Sequence, residues 1–234
     1  MAYLLGIDGG TESIRAIVFD PDGRPKGSKA APYPTAFPKP SWAEQNPEDW
    51  WRCLGIAVQG ALQAAGIPGD QVIALAADTT CCSVVALDQA GTPLRPAMIW
   101  MDVRSAEEAA LVAASGDPAL RVNGGGSGPV SAEWMIPKSL WMKRHQPEIF
   151  ARAARIGEYQ DYINLRLTGR WVASLDNMAV RWHYQSQHGG KPVSLLQKLG
   201  MPELAEKWPQ DIVRPGDVID GLSNTVGMSE VKAF

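Results

Sequence analysis

The 234-residue chain has only three cysteines. Two of them, Cys81 and Cys82, are adjacent, so no disulfide framework of the secreted kind is available. A zinc site is not expected either, because no second ligand pair stands at suitable spacing. No uninterrupted apolar run is long enough to span a bilayer. No basic stretch precedes the first apolar run, as a secretory leader would need. The expected location is therefore the cytoplasm, with no membrane partner. An excess of positive charge is also missing. Lys and Arg number 22 against 25 Asp and Glu, giving a net charge of -3 and a pI near 5.7. A nucleic-acid partner is not expected. The three histidines, His145, His183 and His188, lack a triad-like setting, and no catalytic role is assigned to them. Internal repeats and coiled-coil heptads are absent.

What is present is an ordinary globular composition, 45% hydrophobic and 20% charged, at a length that suits one large α/β domain. Tyr3 to Ile7 and Ile14 to Phe19 read as short strands around Gly9-Gly10. The turn signal Asp20-Pro21-Asp22-Gly23 leads to a third extended run, which makes an antiparallel meander. Asn46-Pro47-Glu48-Asp49 is a helix start with an Asn cap, Pro at the first position and acids in the first turn. Apolar residues then recur at helical spacing from Trp50 to Ala65, and Gly66 closes the helix. Val72 to Ala77, Ser83 to Leu87 and Ala97 to Trp100 read as further strands. Helices are predicted over Ser105–Ala114, Pro137–His145, Pro147–Ala153, Gly157–Leu167 and Ser194–Leu199. Asn123 to Gly128 reads as a flexible loop. Strands followed by a helix and then by strand-strand-helix predict an α/β fold in which helices flank a mixed sheet. A Rossmann domain fits poorly, because the first glycine turn joins two strands.

Asp8-Gly9-Gly10-Thr11 carries the clearest chemistry. Glycines let backbone N–H groups approach phosphate closely. A carboxylate such as Asp8 can hold magnesium or its waters, since magnesium prefers hard oxygen ligands. The hydroxyls of Thr11 and Ser13 can donate to phosphate oxygens. The plain alternative is a β-hairpin whose acid caps a glycine turn.

The longer stretch from Leu5 to Asp20 resembles the N-terminal signature of the FGGY carbohydrate kinase family: an acid, Gly-Thr, a hydroxyl residue, a basic residue (here Arg15), and a strand ending in Asp. Pro40 to Trp50 is similar to the family's Trp-x-Glu segment, with Ser41 and Asn46 as departures. Ile99-Trp100-Met101-Asp102-Val103-Arg104 is similar to its Trp-x-Asp-x-Arg segment, and Tyr159 to Gly169 to its helix before a Thr-Gly turn. The resemblance covers essentially the whole chain. It implies a ribonuclease-H-like, actin-like ATPase domain, with residues 1–234 forming the N-terminal, sugar-binding domain of an ATP-dependent kinase. It implies ATP and Mg2+ as cofactors, a small sugar as substrate, and by analogy a homodimer.

Sugar contacts are expected in three places. Ala77 to Ser83 follows a buried strand, where α/β ligand sites tend to lie. Asp78 is a candidate contact there, Cys81 and Cys82 stand where glycerol kinases carry Arg-Glu and xylulose kinases Met-His, and the segment is most similar to that of ribulose kinases, where an acid is followed by small residues. Two buried structural thiols are the alternative. Trp100, Asp102 and Arg104 form the second group: Asp102 is read as a substrate contact and Arg104 as a structural ion pair beside it. The third is Ser131 to Lys138 and the helix beyond, where the resemblance places Glu133 near substrate, Lys138 as a support, and Asp161 as a further candidate. Of the nine tryptophans, Trp100 and Trp134 are expected nearest a sugar.

The resemblance places the catalytic base and the adenine pocket in a second domain, beyond Phe234. Asp211, Asp217 and Asp220 do not sit in the family's base motif. No catalytic residue is therefore assigned within 1–234, and the fragment is expected to be inactive alone. The substrate expected is a pentulose, D-ribulose first. The alternatives are a kinase for another polyol or ketose, and a non-catalytic module that binds a sugar or a partner.

Overall fold

The computed structural model describes residues 2–122, 130–221 and 232–233. Asn123 to Gly128, read as a flexible loop, lies outside the described residues. The chain opens with three antiparallel strands: β1 (Tyr3–Gly9), β2 (Ser13–Phe19) and β3 (Pro25–Pro32). The β2–β3 turn forms as its sequence dictates. Asp20 Oδ1 accepts from the Asp22 and Arg24 N–H groups at 3.1 and 2.9 Å, and Gly23 adopts φ 78°, which glycine does at little cost.

After β4 (Glu44–Gln45) comes α1 (Pro47–Ala65). Asn46 Oδ1 accepts from Glu48 N–H at 3.1 Å, a cap that contributes about 1 kcal/mol. Gly66 ends the helix at φ 67°. One face of α1, from Trp50 through Leu62, is buried with β1, β2 and β3. The approach is close: a Cβ on Gly27 of β3 would lie 2.4 Å from Ala65 N.

β5 (Val72–Thr79) then runs parallel to β1. β6 (Val84–Leu87), β7 (Ala97–Met98), α2 (Ala106–Ala114), α3 (Met135–His145), α4 (Pro147–Arg152), β8 (Arg155–Glu158) and α5 (Tyr159–Thr168) follow. The chain continues through β9 (Val172–Ser174), α6 (Leu175–Arg181), α7 (Val193–Lys198), α8 (Leu204–Lys207), β10 (Asp211–Val213), β11 (Asp220–Gly221) and β12 (Lys232–Ala233).

The main sheet has six strands in the order β11-β12-β5-β1-β2-β3, and a second sheet runs β4-β7-β6-β8. The expected mixed sheet with flanking helices is thus the architecture found. Two local readings change. The stretch from Gly157 is strand up to Glu158, because β8 pairs with β6, and the helix begins at Tyr159. The strand at Ala97 stops at Met98, since Asp102 N–H turns back to Ile99 O at 2.9 Å.

The core is built in two bodies. One lies between the main sheet, α1 and α5, where the Trp50 and Tyr159 rings stack at 3.8 Å. The other gathers α3 and the helices after β9 around Trp182 and Trp208, whose rings meet edge-on at 4.6 Å. Among the described residues, no helix is long and apolar enough to cross a membrane.

Candidate functional site

The Gly9–Ser13 turn is held from its carbonyl side. Gly9 O accepts from Thr80 N–H at 2.8 Å, and Glu12 O from Tyr33 N–H at 3.1 Å. Gly10 O accepts from the Tyr33 hydroxyl. Thr11 O accepts from Gln45 Nε2 at 2.7 Å, and Gln45 is itself fixed by Trp50 Nε1 at 2.9 Å. Gly10 N–H closes the turn on Ser13 O at 3.0 Å. The Thr11 and Glu12 N–H groups find no acceptor among the described residues. A turn with its carbonyls engaged and its N–H groups open offers a concavity suited to an anion. Gly9 cannot be replaced without movement: a Cβ would lie 2.9 Å from Thr79 Cγ2 and 3.0 Å from the Tyr159 ring. Trp100 Nε1 donates to Thr11 Oγ1 at 3.0 Å, bringing that indole to the edge of the turn.

Two carboxylates flank this turn. Asp8 and Asp78 are partners across the parallel β1–β5 pair, and both are exposed. Burial, and then the Asp8 charge, push the Asp78 carboxyl above its ordinary range. Arg15 reaches Asp8 at 3.3 Å. Two exposed carboxylates fit magnesium, which keeps several waters and takes its remaining oxygens from phosphate rather than from an all-protein cage. No cluster of three or more metal-binding side chains occurs among the described residues.

Asp78 and Cys81 also line a groove of about 550 Å³, together with Gln160, Asn164, Asn177 and Arg214. Its floor is rigid. Cys82 sits at φ 61°, and both of its backbone groups are clamped: its N–H donates to Glu158 Oε2 at 2.8 Å, and its carbonyl accepts from Lys138 Nζ at 2.7 Å. Lys138 also donates to Ile99 O at 2.7 Å, tying the Cys82 loop to the Trp100 segment. Trp182 Nε1 donates to Glu158 Oε1 at 2.8 Å. Burial raises Glu158 to about 7 and lowers Lys138 to about 8. The Cys82 hydrogen bond, then Arg181, hold the exposed Cys81 thiol down to about 6 against burial.

Residues 3–204 match the model of the N-terminal domain of the FGGY family of carbohydrate kinases. The chain belongs to the FGGY family of carbohydrate kinases. It is 30% identical over 216 residues to the ribulokinase of Geobacillus thermodenitrificans, covering 81% of this chain and 38% of that protein. It is 29% identical over 175 residues to the xylulose kinase of Escherichia coli, covering 75% of this chain and 35% of that one. The crystal structure of a xyloylose kinase from Brucella ovis superposes with a TM-score of 0.83 at 26% identity, over 99% of this chain and 47% of that one. The fold is thus the ribonuclease-H-like, actin-like one of FGGY kinases. The chain spans between a third and a half of the length of these relatives.

Within this FGGY domain the residues singled out from the sequence separate into two sets. Asp8, Gly9, Gly10, Thr11, Ser13, Arg15, Asp78, Cys81 and Trp100 gather around the turn and the groove. Asp102 does not. Its side chain is 0% exposed and chelates Arg104, with Nη2 to Oδ2 at 2.6 Å, while accepting Ala43 N–H at 2.7 Å. Arg104 also bridges to Glu44 at 2.8 Å and lies 3.6 Å from the Trp42 ring centroid. This buried pair supports the Trp100 loop, so the reading of Asp102 as a substrate contact is corrected. Asp161 is corrected likewise: its buried carboxylate accepts Glu158 N–H at 2.8 Å as half of a capping box. Lys138 and Cys82 are supports beneath the groove. Glu133 is not among the groove-lining residues and stands near Lys138, whose charge it faces. Arg181 was missed. It ends α6, lies against Cys81, and places its guanidinium 5.6 Å from the Trp134 ring. A lone Arg at a helix end carries no motif, so only the fold brings it beside Cys81.

Proposed function

We propose that this domain provides the sugar groove and the phosphate-facing turn of an ATP-dependent kinase acting on a pentulose, with D-ribulose the favoured substrate. The observation that carries the reading is the pairing of Asp8 with Asp78, at the join between an anion-ready turn and a polar groove. Family membership supports the ATP-dependent chemistry. In this reading the Thr11 and Glu12 N–H groups and the Thr11 and Ser13 hydroxyls receive the phosphates. Asp8 would hold a magnesium ion, which would supply neutralisation of the phosphate charge. Asp78 accepts a hydrogen bond from a sugar hydroxyl, Arg181 donates to a sugar oxygen, and Trp100 walls the substrate in.

A substrate hydroxyl attacks the γ-phosphorus as the bond to the bridging oxygen breaks and ADP leaves. Its proton passes to a carboxylate base supplied by polypeptide outside residues 1–234, which would also carry the adenine pocket. Transfer of phosphate from ATP to D-ribulose, D-xylulose and glycerol tests the reading. The highest kcat/KM is expected for D-ribulose, with little turnover by residues 1–234 alone. Preference for glycerol would defeat the pentulose assignment, and robust turnover by 1–234 would defeat the external base.

A further inference from the structure

A second cleft, of about 910 Å³, lies between the Pro118–Val122 turn and the segment from His183 to Ser194. It does not share a lining residue with the groove at Asp78. Its size suits a small metabolite. Arg121, His183, His188 and Lys191 line it with Tyr184, and no carboxylate does among the described residues. Asp117, which precedes the Pro118–Val122 turn, is already engaged. Buried Asp117 accepts from Ala119 N–H and Ser194 Oγ, both at 3.0 Å, and pairs with Lys198 at 3.2 Å. Arg121 is exposed and makes no ion pair with a described residue. Lys191 donates only to neutral oxygens, Ala205 O at 2.6 Å and Gln210 Oε1 at 2.9 Å.

His183 is the feature without an account in the folded chain. It is 1% exposed, and neither ring nitrogen makes a hydrogen bond of ordinary geometry among the described residues, although the Ala119 backbone and the Asp117 charge stand near it. A buried polar group left unpaired costs stability and calls for an explanation. Its backbone adds strain at φ 55°. Burial lowers its pKa to about 4, so the ring is neutral at pH 7 and presents one donor and one acceptor. That pair suits a hydroxyl, which both donates and accepts. His183 also meets the Trp134 ring at 5.5 Å, and Trp134 in turn meets Arg181, which stands beside Cys81.

We propose that this cleft is a second ligand site, for a small anionic polyol. Its charged end lies against Arg121 and Lys191, and a hydroxyl pairs with His183. A sugar phosphate and a sugar acid share that chemistry. Binding here needs no phosphoryl transfer, so its failure leaves the kinase reading untouched.

The test follows the His183 ring resonances of the 234-residue chain by NMR during titration with D-ribose 5-phosphate, D-ribonate and neutral D-ribose. A saturable shift with at least one anion is expected, together with binding about tenfold weaker in Arg121→Glu, a change on the exposed rim. Response to both anions assigns the site to any charged polyol, and response to the phosphate alone assigns it to sugar phosphates. Three results would overturn the site: no saturable shift with either anion, equal binding of neutral ribose, or undiminished affinity in Arg121→Glu.

Discussion

Asp8 and Asp78 are register partners on the parallel strands β1 and β5, so their carboxylates leave the sheet on the same side. One stands beside the Gly9–Ser13 turn and the other lines the polar groove. The proposed division of labour follows from that placement: Asp8 for the metal and phosphates, Asp78 for the sugar.

Steady-state kinetics separates the two roles. Asp8→Asn is expected to lower kcat by about a hundredfold or more, because it removes charge stabilisation realised mainly during transfer. Asp78→Asn is expected to raise the sugar KM by about tenfold through loss of a charged hydrogen bond. The same kcat loss in both variants would contradict the division.

Cys81 is expected to be the reactive thiol. It is exposed, whereas Cys53 and Cys82 are buried. Its pKa is held down to about 6, by Cys82 first and then by Arg181. Thiolates react and thiols do not. Alkylation by iodoacetamide, located by mass spectrometry, should therefore fall on Cys81 with a half-maximal rate at a pH below the ordinary thiol range. Arg181→Ala should move that midpoint upward. Labelling of Cys53 or Cys82 at a similar rate in the folded chain would refute the assignment.

Glu158 makes stability fall with rising pH. Burial raises its folded-state pKa from 4.5 to about 7. Between those values the folded chain holds a proton that the unfolded chain has lost. The contribution is thus complete below pH 4.5 and gone once pH rises through 7. In urea unfolding, Glu158→Gln should gain on the wild type by about 2–3 kcal/mol between pH 4.5 and pH 8. A constant difference across that range would show that Glu158 is ionised throughout.

Asp102→Asn should cost stability and little else. It breaks a buried ion pair with Arg104, at an expected 3–5 kcal/mol. Sugar KM in the protein that remains folded should stay within about twofold of wild type, since the side chain is fully enclosed. A large KM increase at unchanged stability would return Asp102 to the substrate contacts.

Local signals carried much of the fold. Asn46, Pro47 and Gly66 bracket α1 because capping is a property of a few adjacent residues. Asp20 and Gly23 fix the second turn for the same reason. β8 was hidden because Arg155-Ile156-Gly157-Glu158 has no alternation. It is a strand through its pairing with β6, and its last residue caps the helix that follows. The glycine turn stood out in the sequence because Asp8-Gly9-Gly10-Thr11 is a local pattern, and its anion-binding role is a proposal. Asp102 and Asp161 were misread because an acid in sequence carries no mark of burial. Each is enclosed by distant elements, Asp102 by the Trp42–Glu44 segment and Asp161 by β8. Arg181 reaches Cys81 from a hundred residues away, and no spacing rule could have joined them.

The central claim is that residues 1–234 carry the sugar groove of a pentulose kinase, with Asp78 in contact with the substrate. Calorimetric titration of D-ribulose into the 234-residue chain addresses it directly. Saturable binding is predicted, about tenfold weaker in Asp78→Asn and unchanged in Asp102→Asn. No binding of D-ribulose, D-xylulose or glycerol, or binding indifferent to Asp78→Asn, would contradict it.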